Sequence, residues 1–221
     1  MTQIRQDIQD AAAVCTRAAE RLRALLDVED IEEAVRDDPP PPEMALYSQR
    51  NPMWRYQPYA GGVSFGRAGC YTVAVAMIVS LAGYDDTPPA VARKMREAGC
   101  YSGAYLTRPD RIPDAYPELR YDGPVDVSTD GPLRWHHSEA DMARFREELE
   151  RGPVITEVDF RPGGAFNQHF VVCEHFTENG DVVIADPWDG TRRELLDRYS
   201  PTWGHWDLGR GIYGVRLLRV R

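Results

Sequence analysis

The 221-residue sequence predicts an α+β domain preceded by a helical arm. Three observations lead there. A helix-length apolar run comes early: Cys70 to Ala82 reads CYTVAVAMIVSLA and stops at Gly83. β-branched runs come late: PVITEVDF from Pro153, HFVVCEHF from His169 and DVVIA from Asp181. Helices first and strands after describe an α+β domain with an antiparallel sheet. A run of four prolines, Pro39 to Pro42, cuts the chain into unequal parts. Residues 1–38 are read as the arm, 39–46 as a proline-rich linker and 47–221 as the domain.

The arm is read from its spacing. Ile4, Ile8, Ala11, Cys15, Ala18, Leu22 and Leu25 alternate steps of four and three, the seam of a heptad helix. The seam packs on the chain's own domain or zips to a second copy as a coiled coil; the pattern fits both. Cys15 on the seam reads as a small buried hydrophobe. Polyproline has no amide donors and a fixed φ, so it ends the helix and spaces the parts.

Within the domain, Thr87-Pro88-Pro89 opens a second helix and Gly99 closes it. Tyr101 to Arg134 is rich in Pro, Gly, Tyr and Asp and reads as loop with short irregular pieces. Ser138 to Arg151 is a third helix with Ser as cap. Asn179-Gly180 between two β-branched runs is a hairpin signal. Gly211 to Val220 is the expected last strand.

The formal net charge is −9. That disfavours a nucleic-acid backbone or an anionic membrane surface as partner. No window reaches the roughly 18 apolar residues of a membrane span. Charges scattered through Met1 to Arg23 leave no apolar centre for a signal peptide. The expected setting is the cytoplasm, with packaging into a virion as another route. The four cysteines show no CxxC pair or zinc spacing, and reduced thiols are expected. His136-His137 with Glu139 and Asp141 make a weak metal pattern, because adjacent strand histidines point apart. No metal and no cofactor is expected.

One cysteine stands apart. Cys70 opens the apolar helix after Gly69, where unpaired N–H groups and the dipole favour a thiolate. A thiol nucleophile needs a base, and His169 opens a strand downstream. Asp186 ends the next strand before Pro187 and can hold an imidazole tautomer. His175, six residues after His169, shares its face if the strand is regular.

In these motifs the chain resembles the stand-alone relatives of the bacteriocin-processing, double-glycine leader peptidases, papain-like cysteine peptidases. The matching pieces are Gly69-Cys70, Ala76-Met77, Gly152-Pro153-Val154, His169-Phe170-Val171-Val172 and Asp186-Pro187. Upstream, Gln49 followed by Trp54 fits as well. The resemblance implies a papain-like fold, Cys70 as nucleophile, His169 as base and Asp186 as its orienter. It also implies Gln49 as oxyanion donor, with Gln57 as rival, and a peptide or peptidoglycan-like substrate. It departs where the family places Gly-Pro after the nucleophile; here Tyr71-Thr72 puts a ring beside the thiol. Two other readings stay open: an inert interaction module oligomerised or tethered through residues 1–38, and a transglutaminase-type acyltransferase.

Overall fold

The computed structural model describes residue 16 and residues 43–125, 139–160, 168–203 and 207–221. The arm, save the helical Thr16, lies outside the described residues, as do the four prolines and the His136-His137 pair. The chain divides into two compact units, Met1–Pro41 and Pro42–Arg221. Everything below concerns the second. Among the described residues no helix is long and apolar enough to cross a membrane.

A small hairpin, β1 (Pro58–Ala60) and β2 (Val63–Ser64), leads into a one-turn helix, α1 (Phe65–Ala68). Helix α2 (Cys70–Leu81) follows at once. Gly69 separates them because of space. A Cβ there would sit 2.7 Å from the Phe65 carbonyl oxygen and 2.8 Å from its Cα. Only a glycine lets α1 fold back so tightly ahead of Cys70.

Helix α2 is apolar on all sides and is buried on all sides. Val73 to Val79 are each 1% exposed or less. A helix with no polar face belongs in a core. Each of its large aliphatic side chains contributes about 1.5–3 kcal/mol by leaving water. The first residue of α2 is therefore held by the most deeply packed element of the domain.

Helix α3 (Pro88–Glu97) lies against α2 through Val91, Ala92 and Met95. Thr87 occupies its N-cap but makes no side-chain cap hydrogen bond, so the two prolines set the start. A second hairpin, β3 (Tyr101–Ser102) and β4 (Tyr105–Leu106), is followed by a 3-10 turn and by α4 (Ile112–Ala115).

The main sheet is antiparallel. Its strands are β5 (Leu119–Val125), β6 (Val154–Asp159), β7 (Gln168–Phe176), β8 (Val182–Asp186), β9 (Thr191–Glu194) and β10 (Ile212–Val220). Among the described residues they lie in the order β5-β10-β6-β7-β8-β9. The chain is thus α+β, with mixed helices and an antiparallel sheet. Helix α2 covers one face with Ile155, Phe170, Val172, Ala185 and Leu218 beneath it. Helices α5 (Glu139–Glu150) and α6 (Leu195–Trp203) cover the other through Phe145, Leu149, Leu195 and Tyr199. A last turn, α7 (Leu208–Gly211), precedes β10.

The expectation that Tyr101 to Arg134 is loop with short irregular pieces fails at one place. Leu119–Val125 is an edge strand laddered to β10. Gly123 and Pro124 hide it from any local pattern, and proline is tolerated because the strand is at an edge. The ladder slips in register between Arg216 and Leu218, so alternation fails there too. Strand β9 and helices α6 and α7 were also absent from the sequence reading. Conversely, Asn179-Gly180 does turn β7 into β8, with Gly180 at φ 82°.

Candidate functional site

Cys70, 9% exposed, is the first residue of α2, its backbone N–H at the open end of the helix. His169 is the second residue of β7 and Asp186 the last of β8. Alternation puts Phe170 and Val172 on the α2 face, and Val171 with Cys173 on the opposite face. His169 follows the second set. Its ring therefore meets the thiol at the end of the strand rather than across the sheet face.

The histidine is held from both sides. Its Nε2 lies 2.8 Å from Asp186 Oδ1. The other ring nitrogen is left for Cys70, whose proximity also acts to raise the ring. Burial works against a charged imidazole, yet the Asp186 hydrogen bond, then Cys70, outweigh it. The balance pushes His169 up from 6.5 to about 9. Burial likewise disfavours the Asp186 carboxylate, but the His169 hydrogen bond and charge hold it below the ordinary value. An ionised Asp186 only accepts, so Nε2 carries the proton between them.

Asp186 is wholly buried and almost fully engaged. The Trp188 N–H donates to Oδ1 at 2.9 Å, and the Tyr199 hydroxyl donates to Oδ2 at 2.9 Å. Arg198 Nε lies 3.4 Å from Oδ2 as an ion pair without hydrogen-bond geometry. Phe160 lies over His169 and Trp188, with ring centroids at 4.9 and 4.6 Å. It screens the pair from solvent.

Tyr199 and Arg198 escaped the sequence reading. The signal for Tyr199 was present: it lies four residues after Leu195, on the buried stripe of one helix. A buried tyrosine hydroxyl needs a partner. Changing Tyr199 to Phe is expected to lower stability by about 1–2 kcal/mol, a fall in Tm of about 2–8 °C by calorimetry. An unchanged Tm would show that the hydroxyl carries none of the load on Asp186.

Gln49 reaches the same place by a separate route. The turn after Asp186 docks on residues 47–49. Gln49 N–H donates to the Pro187 carbonyl at 2.6 Å, and Ser48 Oγ donates to that of Trp188 at 3.1 Å. Gly190, at φ 73°, lies so close that a Cβ would stand 2.9 Å from Ser48 N. Gln49 is 2% exposed; its Nε2 donates to the Gly66 carbonyl at 3.3 Å, while Oε1 has no partner. It lines the same cavity as Cys70 and His169. Gln57 is exposed, donates to the Met53 carbonyl and borders a different hollow.

That shared cavity is an open cleft of about 930 Å³. Tyr71 lies flat against Phe170, centroids 4.3 Å apart and planes at 18°, and forms one wall. Trp188 forms another, with the Arg50 guanidinium 4.7 Å above its ring. His175 is exposed, because β7 shifts register against β8 between Cys173 and His175. The same-face expectation for it fails at that irregularity. Cys100 and Cys173 are buried in the two cores, and burial pushes their thiols up to about 11 and about 12.

A model described as Peptidase_C39 like family matches residues 43–206. No curated protein matches the chain.

Proposed function

The chain belongs to the Peptidase_C39 like family, relatives of the C39 papain-like cysteine peptidases, and from that premise we propose that it cleaves a peptide or amide bond through Cys70, His169 and Asp186. Family membership suggests cysteine peptidase activity. The observation that carries the finer reading is the His169 ring held between a thiol at a helix N-terminus and a buried carboxylate. The papain-like arrangement of helix and sheet belongs to the same proposal.

The mechanism starts from His169. Raised to about 9, its ring is an imidazolium at neutral pH and stands ready to stabilise a thiolate formed at Cys70. The Cys70 sulfur attacks the scissile carbonyl and the carbonyl oxygen becomes an oxyanion. The Cys70 N–H and the second hydrogen of Gln49 Nε2 are the donors for it. The tetrahedral adduct expels the amine, which takes its proton from His169. A thioester remains. Neutral His169 then draws a proton from water, the hydroxide adds, and the thiolate leaves with the acid product. Asp186 stays ionised and fixes the ring throughout. Tyr71 stacks on Phe170 in the cleft wall while Cys70 lines the same open cleft, which supports an active rather than an inert site.

Residues 1–38 are proposed as a helical arm and 39–46 as its linker. That arrangement fits a hydrolase tethered to a larger assembly, such as a phage particle acting on cell-wall peptides, a setting that rests on analogy.

The products decide between hydrolysis and acyl transfer. Peptide or peptidoglycan fragments incubated with the protein and excess glycinamide are expected to yield free acids by mass spectrometry. Amide-linked glycinamide as the main product would reassign the protein as an acyltransferase. Intact fragments would remove the peptidase reading.

A further inference from the structure

The sheet carries an ion pair inside the cleft that the triad does not use. Glu157 on β6 is 1% exposed and accepts from Arg216 Nη2 on β10 at 3.0 Å. It also accepts from Gln168 Nε2, the neighbour of His169 on β7. The Arg216 side chain remains 22% exposed and lines the cleft beside the Tyr71–Phe170 wall.

Burying a carboxylate this deeply is costly unless it is paired. Holding the sheet together does not require it. Glu157 already stands opposite Gly214 in the β6–β10 ladder. Gly214 itself makes room for the pair. A Cβ there would meet Arg216 Nη1 at 2.9 Å and Glu157 Oε2 at 3.4 Å. Its φ is outside the left-handed region, so the backbone has no need of glycine at this position. The guanidinium lies over a space kept clear for it, oriented by Glu157.

Arg216 still has donors to give. Nη1 donates to the Val215 carbonyl at 3.3 Å and Nη2 to Glu157. Its Nε has no partner among the described residues. Among the described residues the other charges on the cleft lining, apart from the triad, are Arg67 and Asp110. Asp110 is neutralised by Arg108, at 3.0 and 2.8 Å. Arg67 is exposed and has no acidic partner among the described residues. In a chain of net charge −9 the charge that the described lining residues present to the cleft is thus positive.

We propose that Arg216 is a specificity residue that binds a carboxylate of the peptide substrate near the scissile bond. This rests on the reading of Cys70 as nucleophile for its link to cleavage, but not for binding. Glu157 aims the fork, and the exposed edge takes the substrate carboxylate. Arg67, on the same cleft lining, adds attraction.

The test reads binding apart from turnover. The Cys70→Ser chain is titrated by calorimetry, at low salt, with two pools of blocked hexapeptides of Gly, Ala, Leu, Phe and Ser. One pool carries a single Glu at each position in turn, the other Gln. The Glu pool is expected to bind about tenfold more tightly or better. Removing Arg216 alone would strand a buried carboxylate, so Glu157→Gln/Arg216→Gln is made in the Cys70→Ser background. There the preference is expected to fall below about twofold. Glu157→Gln alone is expected to widen it, because the guanidinium loses its internal counter-charge. Equal binding, no binding, or a preference that survives the double change overturns the inference. A Glu preference in a chain whose wild type cleaves neither pool would sink the catalytic reading and leave the carboxylate site standing.

Discussion

The Cys70→Ala chain is expected to cleave no peptide above about one part in 10⁴ of the wild-type rate, with its fold intact. Removing the nucleophile of such a triad costs about as much as removing the whole triad. Folding should survive because Cys70 is 9% exposed at the end of α2, while the packing of that helix lies in Val73 to Val79. The same site gives a chemical readout that needs no substrate. Iodoacetamide near pH 7 is expected to label Cys70 ahead of the buried thiols. Burial pushes Cys100 up to about 11 and Cys173 up to about 12, so both are protonated and shielded. His169→Ala should slow Cys70 labelling about 100-fold by removing the imidazolium. Labelling of Cys70 at the pace of Cys100, or full peptide turnover by Cys70→Ala, would end the assignment.

Replacing Asp186 by Asn should cost about 10³–10⁴ in kcat and move the pH profile as well. Burial is the largest influence on His169 and acts to lower it; Asp186 is the first influence that opposes it. Without the carboxylate, burial is opposed by Cys70 alone and His169 falls from about 9. The alkaline limb of kcat/KM, near 9 in the wild type, should therefore shift to lower pH. A profile that loses rate without shifting would mean that Asp186 only packs.

Stability should follow the same two groups. His169 is raised on folding, so its contribution is full below 6.5 and is lost as pH rises through about 9. Asp186 is lowered on folding, so its contribution is present above 3.8 and is lost as pH falls through its folded value. Thermal unfolding across pH 3 to 10 should give a plateau between about 4 and 6.5 that declines on both sides. In Asp186→Asn both declines should shrink.

Much of the fold is visible in the sequence because it is written locally. The apolar run from Cys70 specifies a buried helix by composition alone. Asn179-Gly180 specifies its hairpin through the one φ that glycine supplies cheaply. Strand β5 is not visible, since Gly123 and Pro124 break its pattern and its partner lies almost a hundred residues on. Strand β9 reads Thr-Arg-Arg-Glu and has no apolar face to announce it.

The site divides along the same line. The sequence by itself determined that a thiol stands at the start of an apolar helix, and that His169 and Asp186 stand at strand ends. Those are statements about residue type and local period. Tertiary structure decided the rest: that Gln49 and not Gln57 enters the cleft, through a backbone bond to Pro187. It decided that His175 is turned out by a register shift, and that Tyr199 and Arg198 converge on Asp186. It also set Arg216 beside Glu157 over a vacant Cβ at Gly214. Each of these depends on where strands slip and which backbones touch, and such non-local distances leave no period in the chain.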